Sequence, residues 1–379
     1  MSSLRVLSII GTRPEAVKMA PVVQALSQNK NIESRVCVTA QHREMLDQVL
    51  KLFNIHPQQD LNLMRPDQSL ADLTAGILSS LDPVLEHEKP DWVLVQGDTT
   101  TVMAASLAAF YRGISVGHVE AGLRTGDKQQ PFPEEINRRL TSVIADLHFA
   151  PTERSRENLL REGIPASRIR VTGNTVIDAL QQIVKTETPP NVRAWLEEWG
   201  VRQGGRRLVL LTAHRRENFG EPIKHICEAV QSLAERYGSS LRIVYPVHPN
   251  PNIQSVVHRM LEGIPAVTLI QPVDYITLIH LIKHSTLVLT DSGGIQEEAS
   301  GLGKPALVLR EVTERPEGVD AGVLKLVGTD PQKIVREAAH LLDDSDALAE
   351  MARVTNLYGD GKAAGRIVEA ILNFPPAVR

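Results

Sequence analysis

Three carboxylates sit where an acid or a base is useful. Asp98 follows the apolar run Trp92–Gln96, Glu120 follows Ser115–Val119, and Glu134 follows Pro131-Phe132-Pro133. A carboxylate at a strand end, in a site closed to water, is placed for proton transfer once desolvation raises its pKa. Each also has a plainer reading. Asp98 would cap a helix beginning near Thr99, and Glu134 and Glu135 would complement a helix dipole. Glu120 has no comparable capping role.

Groups suited to anions occupy similar places. Arg13 lies between a strand and Pro14, in Gly11-Thr12-Arg13-Pro14-Glu15, with Lys18 one turn further on. An arginine there can grip a phosphate bidentately, and a lysine adds charge. A loop arginine and a solvated lysine are the alternative. His214 follows Leu208–Leu211 and precedes Arg215 and Arg216; His248-Pro249-Asn250 repeats the theme at the next strand end. Pro and Asn there also suit a plain turn. Arg138, one turn after Glu134, is either a salt-bridge partner or a ligand for an anion. Arg315, in Thr313-Glu314-Arg315-Pro316, is a site residue or an exposed loop charge.

Leu287 to Pro305 carries the clearest binding signal. An apolar run ends at Asp291, turns through Ser292-Gly293-Gly294 and becomes a helix bearing Glu297 and Glu298. Backbone N–H groups at such a turn approach an anion closely, and the helix N-terminus favours negative charge. A carboxylate one turn inside can accept from two neighbouring sugar hydroxyls. A nucleoside diphosphate with its ribose fits this description, although a glycine-rich loop that only turns the chain looks alike.

These residues need strand ends to hold them. Strands are expected at Val6–Ile10, Arg35–Thr39, Trp92–Gln96, Ser115–Val119 and Leu147–Ala150. A second series covers Leu208–Leu211, Arg242–Tyr245, Val267–Ile270, Leu287–Leu289, Ala306–Leu309 and Val323–Val327. Amphipathic helices such as Pro14–Ser27, Leu70–Glu88, Thr100–Tyr111 and Glu153–Glu162 fall between them. The alternation predicts α/β architecture: two Rossmann-like, doubly wound parallel sheets covered by helices on both faces. In such sheets ligands sit outside the C-terminal strand ends, where the polar clusters lie, and two domains facing each other would make one central cleft. A weaker stretch, Lys185–Gly205, separates the series. The expected division is residues 1–172, residues 173–360 with a hinge near Gly173, and residues 361–379 as a C-terminal helix packing back on the first domain.

Composition narrows the class. The 379 residues suit two domains rather than one core. A net charge of −4 without long runs of one sign favours neither nucleic acid nor a membrane surface as partner. The opening LRVLSII is too short and poorly flanked for a signal peptide, and a cytoplasmic protein is expected. Cys37 and Cys227 sit in apolar patterns and read as buried thiols. A GxGxxG after a strand, a Walker loop, HExxH and paired CxxC are all missing, so no nicotinamide cofactor and no metal is expected.

GTRPEAVKMAP, QGDTTT, HVEAGLRT, PFPEEINRR, TAHRREN, HPN, DSGGIQEEA and TERPE occur in that order. Together they resemble the non-hydrolysing UDP-N-acetylglucosamine 2-epimerases of bacteria, from about Arg5 to Arg366. The resemblance implies the GT-B fold, interconversion of UDP-GlcNAc and UDP-ManNAc without a cofactor, supply of ManNAc units to surface polysaccharide, and a homodimer. It makes Asp98, Glu120 and Glu134 the acid/base carboxylates and His214 the catalytic histidine near the diphosphate. Arg13, Lys18 and Arg138 match further active-site positions. Ser292, Gly293 and Gly294 would hold the diphosphate, Glu298 the ribose, and Gln271 to Val273 with Tyr275 the uracil. His248 and Arg315 join the substrate-binding set. Gln41-His42 matches a pair through which some relatives bind a second UDP-GlcNAc as activator. A diacetamido-sugar epimerase, a hydrolysing epimerase, a GT-B glycosyltransferase and a non-catalytic UDP-sugar sensor remain alternatives.

Overall fold

The computed structural model describes residues 3–39, 43–63, 65, 68–201, 205–353 and 356–374. Gln41 and His42 lie outside them. The chain forms two compact units, one made of Met1–Gln181 with Tyr358–Arg379, the other of Gln182–Leu357. The division falls inside helix Thr175–Val184.

The first unit holds β1 (Leu4–Ile10), β2 (Ile32–Val38), β3 (Gln59–Asp60), β4 (Trp92–Gln96), β5 (Ser115–Val119), β6 (Leu147–Ala150) and β7 (Ile169–Val171). They form one parallel sheet in the order β3-β2-β1-β4-β5-β6-β7. The second unit holds β8 (Arg207–Thr212), β9 (Leu241–Pro246), β10 (Val267–Ile270), β11 (Leu287–Thr290), β12 (Ala306–Val308) and β13 (Leu324–Leu326). Its order, β10-β9-β8-β11-β12-β13, is also parallel and repeats the same winding. The strands are apolar runs because helices cover both faces. β4 and β5 are buried at every position, as is β11.

Each core is built the same way. In the first unit β1 and β4 pack against helices Leu70–Glu88 and Thr100–Tyr111. The second of these lies close because its inner face is small: Ala104, Ala105, Ala108 and Ala109 are buried. In the second unit β8, β9 and β11 pack against helices Glu221–Tyr237, Pro251–Leu261 and Pro331–Asp343. Cys37 and Cys227 are buried free thiols, and desolvation pushes both up to about 12.

Winding reverses between β1 and β4 in one sheet and between β8 and β11 in the other. At such a reversal the connecting helices leave to opposite faces and open a crevice at the C-terminal strand ends. The first crevice has Gly11 on one side and Gly97-Asp98 on the other; the second has His214 opposite Asp291-Ser292.

The linking stretch Lys185–Gly205 contains a helix, Pro190–Glu198, that its two prolines did not suggest. Pro190 occupies the first helical turn, where its missing N–H costs nothing. Helix Ala363–Asn373 belongs to the first unit and packs on helix Arg13–Gln28. The Asp178 carboxylate accepts the N–H groups of Ala363 and Ala364, at 3.2 and 2.9 Å, and so caps that helix.

Candidate active site

In the first unit the site is assembled around Glu120. The residue directly follows β5 in the left-handed region, with φ of 65°, an uncommon choice for a side-chain-bearing residue. Its buried carboxylate is held from three directions. Lys18 Nζ donates to Oε1 at 2.5 Å, Asn174 Nδ2 donates to the same oxygen at 2.8 Å, and Gln96 Nε2 donates to Oε2. The strained backbone persists because these donors, one of them cationic, fix the side chain. Lys18, expected as a phosphate contact, is thus set on a carboxylate. A carboxylate and an ammonium at this distance can pass a proton between them.

Asp98 sits at the neighbouring strand end. The helix cap proves to be Thr99, whose hydroxyl accepts from Val102 N–H at 3.3 Å, so Asp98 is released from that duty. Its Oδ2 instead accepts from Arg138 Nε and Nη2, at 2.9 and 2.6 Å. Arg138 is buried and also donates to Glu135 at 3.2 Å. Glu135 is buried too; it accepts the N–H groups of Thr125 and Gly126 and so ties that loop to helix Glu134–Ile144. Glu134 opens the same helix and is half-buried. Arg13, at the first position of helix Arg13–Gln28, is half-buried as well.

Three supporting residues went unrecognised in the sequence. Glu15 is buried; it accepts from Gly11 N–H at 2.6 Å and the Thr12 hydroxyl at 3.1 Å, and is bonded by Thr99. Burial pushes its pKa to about 7 against those bonds, with a smaller contribution from Asp98. The pattern Thr12-x-x-Glu15 is a capping box, so a signal for it existed. His118, inside β5, meets the Gly97 carbonyl through Nε2 at 2.7 Å, and burial lowers its pKa to about 3. The neutral ring therefore donates from Nε2 and steadies the loop carrying Asp98. Asn174, held by its own N–H on the Tyr358 carbonyl at 2.6 Å, aims its amide at Glu120. A contact across so much sequence has no local signature.

In the second unit Asp291 organises the ends of β8 and β11. It is fully buried, and its Oδ2 accepts from His214 N–H at 2.7 Å, Arg215 N–H at 2.8 Å and Asn218 Nδ2 at 2.9 Å. His214 and His248, from successive strand ends, stack with centroids 5.5 Å apart and planes 14° apart. His248 Nδ1 accepts from Asn250 N–H at 3.2 Å, which leaves Nε2 as its donor nitrogen.

Helix Gly293–Gly301 starts at Ser292, whose side chain makes no capping bond, so the first N–H groups are not spent on it. Arg315 packs against this end: a Cβ on Gly293 would come within 2.5 Å of its Nη1, whereas one on Gly294 would meet nothing within 4 Å. Gly293 is therefore glycine to admit a guanidinium. Arg315 Nε donates to Glu297 Oε1 at 2.7 Å, and Nη1 lies 3.4 Å from Glu314. Glu298 is buried one turn into the helix. Gln271 follows β10 and is exposed; Tyr275, buried, begins helix Tyr275–His284. Among the described residues no group of three His, Cys, Asp or Glu is placed to hold a metal, and no helix is long and apolar enough to cross a membrane.

Two doubly wound parallel sheets, with carboxylates at the switch point of one and His214 and Asp291 at that of the other, define a two-unit α/β protein of GT-B type. Comparison with known proteins specifies it further. The family model for UDP-N-acetylglucosamine 2-epimerase matches residues 24–372. The UDP-N-acetylglucosamine 2-epimerase of Yersinia pestis is 55% identical over 98% of this chain and 99% of its own. Among solved structures, UDP-GlcNAc 2-epimerase from Neisseria meningitidis, bound to UDP-GlcNAc, superposes with a TM-score of 0.94. It shares 50% identity over 98% of this chain and all of its own. The Methanocaldococcus jannaschii enzyme, in complex with UDP-GlcNAc and UDP, gives 0.84 at 36% identity over 98% and 100% of the two chains. The chain belongs to the UDP-N-acetylglucosamine 2-epimerase family of isomerases.

Proposed function

We propose that the chain interconverts UDP-GlcNAc and UDP-ManNAc by eliminating and re-adding UDP. The C2 proton of an N-acetyl sugar has no neighbouring carbonyl, so its direct removal would leave an unstabilised carbanion. Breaking the C1–O bond first, or in concert, places positive charge on C1 and acidifies C2–H. Anti elimination then gives 2-acetamidoglucal and UDP, with the C2 proton on an enzyme base. Re-addition of UDP at C1 and protonation of C2 from the other face complete the epimerisation. The reaction needs acid/base groups for C2, donors for the departing diphosphate, and no redox cofactor.

The observation that carries this reading is the Glu120 carboxylate, buried in a left-handed backbone and clamped by Lys18, Gln96 and Asn174. A UDP-sugar sensor has no use for a fixed acid/base group there, and a glycosyltransferase needs no more than one base, for its acceptor, where this chain offers the three carboxylates Asp98, Glu120 and Glu134. Asp98 and Glu134 complete the acid/base set, with Arg13, Lys18 and Arg138 supporting them. In the second unit His214 and His248 serve the diphosphate, with Ser292, Gly293, Gly294 and Arg315. Glu298 takes the ribose, and Gln271 with Tyr275 the uracil. The wider reading is a cytoplasmic homodimer that supplies ManNAc units to surface polysaccharide, with Gln41 and His42 at a regulatory position. An exposed apolar stripe supports the dimer: Ile136, Leu140 and Val143 repeat at helical spacing beside exposed Phe110 and Tyr111.

UDP-GlcNAc incubated with the protein in D2O and followed by NMR tests the reaction. Deuterium is expected at C2, with UDP-ManNAc accumulating. Unlabelled nucleotide sugar, or free ManNAc as the main product, would sink the proposal.

A further inference from the structure

The Asp291 carboxylate is asymmetric in a way that backbone support does not explain. Oδ2 takes all three of its hydrogen bonds, from His214 N–H, Arg215 N–H and Asn218. Oδ1 is buried and has no hydrogen bond among the described residues. A buried carboxylate oxygen left without a donor is unfavourable unless a polar hydrogen can reach it. His214 Nδ1, 3.4 Å from Oδ1, is in position to supply one. The opposite edge of that ring is open: the His214 side chain is 40% exposed, and its Nε2 makes no hydrogen bond among the described residues. The flat stack on His248 restrains ring rotation, so the edge facing Asp291 stays facing it.

We propose that Asp291 is a positioning residue whose Oδ1 keeps a proton on His214 Nδ1 and directs Nε2 toward the ligand. When the diphosphate binds, Nε2 takes up a second proton from water, and Asp291 balances the charge of the resulting imidazolium, whose Nε2–H donates to an oxygen of the leaving diphosphate. That proton stays on the ring while the C1–O bond breaks. The separation is long for a formed hydrogen bond, and it tightens when an anion at Nε2 draws the ring into alignment. This inference rests on the reading of His214 as a diphosphate contact, but Asp291's hold on the tautomer can be measured without any ligand.

Asp291→Asn separates the two oxygens' duties. The amide oxygen can still accept at Oδ2, while the NH2 group presents hydrogens to His214 and forces Nδ1 to become an acceptor. In unliganded wild type labelled with 15N-histidine, NMR is expected to show His214 protonated at Nδ1. In Asp291→Asn the proton should move to Nε2, kcat should fall about 10²- to 10⁴-fold, and UDP affinity and KM should stay within a few-fold. A wild-type ring carrying its single proton on Nε2, or a spectrum unmoved by the substitution, overturns the assignment. Asn218→Ala removes one donor from Oδ2 and leaves Oδ1 facing His214, so it should keep the Nδ1–H signal. Loss of the signal there too would make the effect one of loop folding and overturn the assignment equally. If wild type fails to epimerise UDP-GlcNAc, the proposed function falls while the spectrum still decides the role of Asp291.

Discussion

Glu15 shows how one side chain can tie a site together at a cost that depends on pH. Its carboxylate collects Gly11 N–H, the Thr12 hydroxyl and Thr99, joining the ends of β1 and β4, yet burial lifts its pKa from 4.5 to about 7. Between those values the folded state holds a proton that the unfolded chain has already released. This group's contribution therefore favours folding at low pH and is lost as pH rises toward 7 and beyond. A shift of this size is worth roughly 3 kcal/mol, as an order of magnitude. Glu15→Gln, still able to accept from Gly11, should lose that decline and be the more stable protein at about pH 8. Urea unfolding of both proteins at about pH 5 and 8 checks this, and parallel pH slopes would contradict it. His118 works in the opposite sense. Its pKa is lowered from 6.5 to about 3, so its contribution is complete above 6.5 and lost as pH falls toward 3. The sequence advertised Asp98 and Glu120 because they stand at strand ends. It hid Asn174, His118 and Asp291's hold on His214, whose roles come from contacts across the sheet rather than from local pattern.

Among the elements, the N-terminus of helix Gly293–Gly301 is shaped as much by Arg315 as by its own glycines. Gly293→Ala would drive a methyl group into the guanidinium, which Glu297 and Glu314 hold in place, while Gly294→Ala faces open space. The first substitution should cost about 1–3 kcal/mol of stability, and the second close to nothing or a slight gain. Chemical denaturation of the pair would reveal it, and equal costs would mean that Arg315 simply moves aside. The long elements were legible: Trp92–Gln96, Ser115–Val119, Leu147–Ala150, Val267–Ile270, Leu70–Glu88 and Thr100–Tyr111 match their observed bounds. The strands stood out as short apolar runs and the helices as the longer segments between them, although the sequence suggested Asp98 as the cap that the structure assigns to Thr99. Two edge strands escaped notice. β3 has two residues, Gln59 and Asp60, and β7 exposes Arg170 and Val171, so neither carries the buried apolar run by which parallel strands are read.

For the molecule as a whole, the surface of the first unit holds the test of assembly. Val143 is 81% exposed on the same helical stripe as Ile136 and Leu140, a location that isolated proteins seldom leave bare. Val143→Glu should turn a dimer into a monomer in light scattering after size exclusion, with circular dichroism unchanged. An unaltered mass would place any dimer contact elsewhere. The return of the chain to this unit carries a different consequence. Helix Ala363–Asn373 covers part of helix Arg13–Gln28 and is capped by Asp178, yet Gln182–Leu357 must be made before it. During synthesis the second unit can fold as a continuous stretch. The first must wait, its seam still bare, until the ribosome has delivered residues some 350 positions later. A translation pause or premature stop in that interval would leave the carboxylate-bearing half unfinished while the half bearing His214 is already folded.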